Sequence, residues 1–258
     1  MTQYHSIIRL FEHCGIDCNA LDVAKARRIL AAEFSIARNG IISIAGFDYT
    51  KNDVFNELER HDFAQRLTVH VLIWRMPVLL NCLEKNEIDI GQIDKLGSWY
   101  SHYWRQRHVV DFISPYFAVS FDKIMGRLLN SARFADANTW MKTLYFAENA
   151  EDNRAALSST RIYFADFIKL LRNMNDVTYK DHLPQVEKFF SQPWCRFVNN
   201  FPDSLYGIRN DLLRTMYNFA IIIRHTDTNL YQTITRQMIE VRNIDTDLRD
   251  LIAGTVQV

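Results

Sequence analysis

The segment with the most unusual chemistry is the decapeptide 99–108, where aromatic side chains are interleaved with arginine and histidine. It contains Trp99, Tyr103 and Trp104 together with Arg105 and Arg107. Aromatic rings beside guanidinium groups can stack on bases and meet phosphates, and Trp, Tyr and Arg also anchor protein interfaces. A third interpretation is an amphipathic helix packed in the core, whose arginine stems lie along apolar surface. We rank core packing first, a protein-binding surface second and nucleic acid last.

The charge balance of the chain argues against a nucleic-acid partner. Lys and Arg total 30, and Asp and Glu also total 30, so the formal net charge is zero. A dedicated nucleic-acid binder carries a basic excess. Residues 98–133 hold five Lys and Arg against two Asp and Glu, a local excess of only three. A neutral chain repels its own copies weakly, so a protein partner is the expected association and a homo-oligomer is the alternative.

The tightest group of soft metal ligands is His13, Cys14 and Cys18. A structural zinc site needs four ligands, which usually come from two close pairs. The second pair is missing, because Cys82 and Cys195 are isolated in the sequence. Ordinary thiols are therefore favoured, and we expect neither a metal nor another cofactor.

A helical face with carboxylate and imidazole groups is formed by Asp53, Glu57 and His61, which follow one another at spacings of four. Helical di-metal sites use such faces, but they need Glu-x-x-His on two helices. The chain contains no Glu-x-x-His. These three side chains are therefore predicted to face water.

Common catalytic motifs are excluded by the eight glycines, because no two of them lie closer than six residues apart. The motifs GxGxxG, GxSxG and GxxxxGK[ST] all need closer glycines. No catalytic residue is assigned on this basis. A pocket between helices, lined by polar groups such as His102, His108, Asp111 or Asp211, is the alternative that would make the chain an enzyme or a ligand-binding protein.

The lengths of the apolar runs and the four cysteines indicate whether the chain spans a membrane and in which compartment we expect it. No stretch approaches 18 apolar residues, so no membrane span is expected. The first ten residues contain no apolar run of a secretory signal, and the four cysteines are expected to be reduced thiols in the cytoplasm.

The fold class follows from the scarcity of residues that interrupt helices. Gly and Pro number 8 and 5 among 258 residues, whereas aromatic residues number 17 Phe, 11 Tyr and 5 Trp. We predict an all-α protein of packed helical hairpins, with about nine or ten helices and one short strand near residues 41–45, from Ile41 to Ala45. A charged stretch with two glycines, residues 86–97, suggests an N-terminal subdomain 1–97 and a C-terminal subdomain 98–258, packed as one unit.

Local signals place several element boundaries. Asn39-Gly40 should end a helix 20–38, and Thr50 should cap a helix 51–61 with the help of Asp53. Pro77 should kink or restart the helix 62–75, and the helix 98–113 should end before Pro115.

The last predicted helix, residues 228–251, has an apolar heptad repeat at Ile234, Val241 and Leu248. This stripe can either cover the core of the chain itself or dock on a partner. Together with the aromatic–arginine decapeptide, it leads to our functional expectation. We expect a non-enzymatic interaction or scaffold protein, a cytoplasmic subunit of a larger assembly, whose docking surfaces are these two segments.

Overall fold

The computed structural model describes residues 3–256 and is mostly helical, with 73% of residues in helices. The described part of the chain contains fifteen α-helices, five short 3-10 helices and one two-stranded sheet. The all-α expectation is confirmed in this broad form. The expected count of nine or ten helices is wrong, because several long predicted helices are interrupted.

Two compact units make up the chain, Met1–Ser120 and Phe121–Val258. The predicted subdomain boundary after residue 97 stays a prediction. The first unit holds, in chain order, α1 Ile7–His13, α2 Val23–Ile36, β1 Ile41–Ile44, β2 Phe47–Thr50, α3 Lys51–Leu58, α4 Phe63–Trp74, α5 Pro77–Lys85 and α6 Ile93–Tyr103. The unit boundary falls within α7 Arg107–Asn130, and the second unit continues with α8 Phe134–Met141, α9 Ala150–Ala156, α10 Ser158–Arg172, α11 Leu183–Glu187, α12 Gln192–Asn199, α13 Tyr206–Ile223, α14 Thr228–Ile239 and α15 Thr246–Val256.

The expected strand is present, but it belongs to a hairpin whose second strand the sequence reading missed. β1 and β2 are antiparallel, with Ile42 opposite Tyr49 and Ile44 opposite Phe47. The two residues between the strands, Ala45 and Gly46, both have positive φ angles of 52° and 85°. Such a two-residue turn matches the twist of the paired strands. The hairpin packs Ile42 and Tyr49 into the core of the first unit.

Local signals place the helices around the hairpin approximately, since α2 and α3 end at Ile36 and Leu58 and not at the predicted residues 38 and 61. Helix α2 ends before Asn39 and Gly40, whose φ angles of 58° and 66° are left-handed. The Thr50 hydroxyl accepts a hydrogen bond from the Asp53 amide at 3.2 Å and so caps α3. Pro77 occupies the first turn of α5, where its missing N–H costs nothing.

The predicted helix 98–113 is wrong at both ends. It is divided between α6 and α7 by a tight turn at residues 104–106, in which the Gln106 amide donates to the Tyr103 carbonyl at 2.8 Å. Helix α7 then continues through Pro115. A proline inside a helix costs about 3 kcal/mol. Buried side chains around it, including Ile113 and Phe117, each contribute about 2 kcal/mol by leaving water, so packing outweighs the local cost.

The predicted C-terminal helix 228–251 is also interrupted, because α14 and α15 are separated by residues 240–245. Two neighbouring polar residues of α13 hold this connection. The buried Arg209 guanidinium donates to the Asn243 carbonyl at 2.9 Å, and the Asn210 side-chain oxygen accepts from the Asp245 amide at 2.9 Å. These bonds satisfy backbone groups that a continuous helix would have paired internally.

Within residues 3–256, no single helix is both long enough and apolar enough to span a membrane. Helices α4 and α5 meet these two criteria only when they are taken together, and they are bent by 105° at the break between them.

Candidate functional sites

The first candidate site is the turn between α6 and α7, which we call the aromatic–arginine turn and define as Trp99, Tyr103, Trp104, Arg105 and Arg107. Trp104 is 47% exposed, and both arginines are exposed. Trp99 and Tyr103 are half-buried, with ring centroids 4.7 Å apart. Core packing, our first-ranked interpretation, is therefore wrong for Trp104.

The arginines of this turn differ in their contacts. The Arg105 guanidinium carbon lies 5.2 Å from the centroid of the Trp104 ring, within cation–π range. Arg107 lies 3.7 Å from a carboxylate oxygen of Asp111, and both of these side chains are well exposed. The turn thus presents a large apolar ring with positive charge beside it.

The second predicted docking segment lies in the core of the second unit. Ile234, Val241 and Leu248 are 0%, 4% and 1% exposed. Ile234 lies on α14, Val241 on the connection and Leu248 on α15, so the heptad stripe does not form one helix face. In this structure the three side chains have almost no exposed surface to offer to a partner.

A second candidate site, which the sequence reading missed, is a buried polar chain in the first unit formed by Tyr4, His70, Glu57 and Arg66. The Tyr4 hydroxyl and His70 Nδ1 are hydrogen-bonded at 2.8 Å. His70 Nε2 lies 3.6 Å from a carboxylate oxygen of Glu57. Arg66 donates two hydrogen bonds to the same carboxylate, at 2.5 and 3.1 Å. Arg66 and His70 lie one turn apart on α4 and therefore share a face.

Burial and neighbouring charges determine which side chains of the buried polar chain are protonated. Burial lowers the pKa of His70 below its ordinary value of 6.5, so the imidazole is neutral at neutral pH. Burial by itself raises the pKa of Glu57, but the neighbouring His70 and the bonds and charge of Arg66 outweigh it and lower that pKa to about 2. Burial raises the pKa of Tyr4 well above 10.0. The buried polar chain therefore contains an ionised carboxylate, a neutral imidazole and a neutral phenol.

The N-terminal segment that carries Tyr4 is held by a second buried carboxylate, Glu84 of α5, which is 1% exposed. Its two oxygens accept hydrogen bonds from the Ser6 amide at 2.9 Å and from Arg9 at 2.5 Å. Tyr49 of β2 donates its hydroxyl hydrogen to the Ser6 carbonyl at 2.9 Å. These contacts position Tyr4 against His70.

A cavity of about 260 Å³ opens beside the buried chain. Its walls come from the N-terminal segment, the hairpin and α3, α4 and α7, and we call it the His70 pocket. The lining residues are Gln3, Tyr4, His5, Ile7, Asp48, Tyr49, Thr50, Asp53, Val54, Glu57, Arg66, His70 and Tyr116. Burial raises the pKa of Tyr4 well above 10.0 and that of Tyr49 to about 12, so neither of these two phenols is activated for nucleophilic attack.

The prediction that Asp53, Glu57 and His61 all face water needs correction for Glu57. Its side chain is only 19% exposed, because Arg66 and His70 cover it. Asp53 and His61 are exposed as expected. The missed signal was on α4, where Arg66 and His70 occur four residues apart and are the only ionisable residues of the helix.

Two of the four polar residues suggested for an inter-helix pocket share a cavity, whereas His102 and Asp211 do not line it. His108 and Asp111 line a separate cavity of about 210 Å³, which Arg66 also lines. The His102 ring packs against Tyr103, with centroids 4.6 Å apart. Asp211 accepts a hydrogen bond from Arg172 in the second unit.

Within the described range, no three His, Cys, Asp or Glu side chains are grouped to hold a metal ion. All four cysteines are free thiols, with Cys14 and Cys18 half-buried and Cys82 and Cys195 buried. Burial raises the pKa of the Cys14 and Cys18 thiols, which keeps them protonated.

Comparison with known proteins finds no matching family model, no matching curated protein and no matching solved structure.

Proposed function

We propose that the chain is a non-enzymatic interaction protein, a cytoplasmic subunit of a larger assembly, which docks through the aromatic–arginine turn. The observation that carries this proposal is the 47% exposure of Trp104. A tryptophan ring held out on a turn between two helices contributes little to the fold. It is, however, the side chain most often found at the centre of a protein interface.

The energetics of Trp104 are sufficient for an interface anchor. An aromatic side chain covers about 200 Å² when it is buried, so the exposed fraction of Trp104 corresponds to about 100 Å². At about 25 cal/mol per Å², its transfer into a partner's pocket contributes about 2.5 kcal/mol. That is the scale of an interface hot spot.

The charges around Trp104 define the partner's chemistry. Arg105 lies in the turn, Arg107 is the first residue of α7, and both side chains are exposed. A complementary surface therefore has an apolar pocket for the indole and carboxylates at its rim. A second copy of this chain is the competing occupant. The four free thiols are consistent with a reducing compartment, which supports the cytoplasmic part of the proposal.

The proposal is tested by replacing Trp104 with the photo-cross-linking residue p-benzoylphenylalanine in the native cell and then measuring the affinity of the purified, cross-linked partner. Trp104→Ala should weaken binding about 50-fold, and the double variant Arg105→Ala/Arg107→Ala several-fold. The matched control is Ile36→Ala, since Ile36 is 80% exposed on α2 of the same unit. It should bind like the wild type.

Two results would count against the docking surface. One is a Trp104→Ala variant that keeps wild-type affinity for every partner cross-linked at this position. The other is a variant whose circular dichroism melt shows loss of the fold, because an exposed ring on a turn should change stability by less than about 0.5 kcal/mol. Cross-links between two copies of the chain would show that the partner at this surface is a second copy and that the protein forms a homo-oligomer there.

A further inference from the structure

We infer that the His70 pocket is a binding site for a short aliphatic amine, and that an amine with an ammonium group at each end fits it best. This inference is independent of docking at Trp104. It gives the ligand-binding alternative a place in the fold, at residues other than those the sequence suggested. The evidence is the charge of the pocket, an unpartnered nitrogen at its floor and two carboxylates at its rim.

The charge of the lining is negative. Asp48, Asp53 and Glu57 supply three carboxylates, whereas Arg66 is the one Lys or Arg side chain among the described lining residues. Arg66 is already matched by its two hydrogen bonds to Glu57. Counting carboxylates against Lys and Arg side chains, the lining has a formal charge of −2, in a chain whose formal net charge is zero. Such a site attracts a cation and repels phosphates and carboxylates.

The floor of the pocket holds an unpartnered polar atom. His70 is 5% exposed, and its Nε2 atom has no hydrogen-bond partner. A buried polar atom without a partner normally costs about 1–3 kcal/mol. Nε2 lies 3.6 Å from a carboxylate oxygen of Glu57, and both groups line the cavity.

An ammonium group fits this floor because it carries three N–H donors and no acceptor. Without a ligand, the Nε2 hydrogen faces Glu57 and Nδ1 accepts from the Tyr4 hydroxyl. When an ammonium group takes over as the donor to Glu57, the ring proton moves to Nδ1, which donates to the Tyr4 oxygen, and Nε2 becomes an acceptor. One ammonium group can then donate to Nε2 and to the Glu57 carboxylate together. A neutral hydroxyl has one hydrogen to donate and cannot satisfy both acceptors.

The rim supplies the second anionic position. Asp48 and Asp53 are exposed, and each accepts a hydroxyl hydrogen bond, from Ser43 at 2.5 Å and from Thr50 at 2.6 Å. Neither carboxylate has an ion-pair partner in the described part of the chain. A second ammonium group at the mouth would face both of them.

The size of the pocket limits the ligand. A volume of about 260 Å³ corresponds to about nine water molecules at their liquid volume of about 30 Å³ each. A straight chain of four carbons with two nitrogens fits within it, and Ile7 and Val54 provide apolar wall for the methylene groups. A metal ion is the less suitable cation here, since no three metal-binding side chains converge among residues 3–256.

The experiment is isothermal titration calorimetry of the full chain with three probes that share a four-carbon chain: 1,4-diaminobutane, butylamine and 1,4-butanediol. We expect the diamine to bind about 5-fold more tightly than butylamine, since one ion pair near the surface contributes up to about 1 kcal/mol. The diol should give no binding heat. Absence of binding by both amines at millimolar concentration would refute the site, and equal affinities for the two amines would refute the role of the rim.

Matched variants separate the rim from the floor. Asp48→Asn/Asp53→Asn should reduce the affinity for the diamine to that of butylamine, while butylamine binding changes less than 2-fold. The control Asp94→Asn removes an exposed carboxylate of α6, in the same unit but outside this pocket, and should leave both affinities unchanged. An equal loss in the control would mean that the chain attracts amines through its general surface charge only.

The floor is tested without a substitution that could unfold the chain. The ring nitrogen resonances of His70 in a ¹⁵N-labelled sample should move when the diamine is added and stay in place when the diol is added. Resonances that do not move at saturating diamine would show that the ammonium group binds elsewhere, and the inferred floor would be wrong.

Discussion

The substitution Glu57→Gln tests the buried polar chain of the first unit directly. The pKa of Glu57 is lowered from its ordinary value of 4.5 to about 2. At about 1.4 kcal/mol for each pKa unit, this difference means that the ionised carboxylate contributes about 3 kcal/mol to folding at neutral pH. Because the side chain is only 19% exposed, solvent screens little of it. We expect Glu57→Gln to lose about 3 kcal/mol of unfolding free energy at pH 7.

The sign of the pH dependence follows from the direction of each pKa change. A lowered carboxylate pKa means that the unfolded chain takes up the proton first, so the contribution of Glu57 is complete above pH 4.5 and is lost as the pH falls toward 2. His70, whose pKa is lowered by burial, stays neutral in the folded chain while the unfolded chain protonates. Stability should therefore already decline as the pH falls below 6.5. In Glu57→Gln the decline below 6.5 should persist, whereas the decline between 4.5 and 2 should be shallower by the contribution of Glu57.

The suitable assay is hydrogen exchange of the α4 amides as a function of urea, because it reports opening of the first unit alone. Glu59→Gln is the matched control. Glu59 follows α3 directly, is 52% exposed and pairs with Arg27, so its loss should cost less than 1 kcal/mol. The reasoning is refuted if the wild-type and Glu57→Gln curves run parallel between pH 4.5 and 2, or if Glu57→Gln costs no more than Glu59→Gln.

Two further predictions concern the second unit. Trp140→Phe should lower the unfolding free energy by about 2 kcal/mol in urea denaturation, because it leaves a void in the core and removes the hydrogen bond that the fully buried indole donates to the Phe121 carbonyl at 3.2 Å. A loss below about 0.5 kcal/mol would contradict this reading of the indole. Arg209→Met should cost about 2–4 kcal/mol and speed hydrogen exchange in residues 240–245, because it removes two bonds to backbone carbonyls. Unchanged exchange in that connection would show that Arg209 does not hold it.

Elements whose limits depend on neighbouring residues were predictable. The left-handed pair Asn39-Gly40, the cap at Thr50 and the helix start at Pro77 all act within one turn of the chain. The errors occur where packing over longer distances decides. Pro115 lies inside α7 because buried neighbours outweigh one missing hydrogen bond, and α14 ends at Ile239 because side chains of α13 bind the connection that follows.

The two candidate sites also differ in how far the sequence could predict them. The aromatic–arginine turn was visible as a composition, but exposure of Trp104 depended on where the helix broke. The His70 pocket was not visible, because Tyr4 and His70 meet across 66 residues. Only the i, i+4 spacing of Arg66 and His70 could have indicated that α4 buries charge.

By itself, the sequence determined the helical class, the lack of glycine loops for phosphates and the zero net charge. Each of these follows from residue counts or from contacts within a few residues, which do not depend on the rest of the fold. Tertiary structure alone decided which of the 30 acidic side chains are buried. Burial depends on which distant segments supply the opposite charge. Glu57 and Glu84 are covered because Arg66 and Arg9 reach them, whereas Asp48 and Asp53 remain without a cation at the mouth of the pocket.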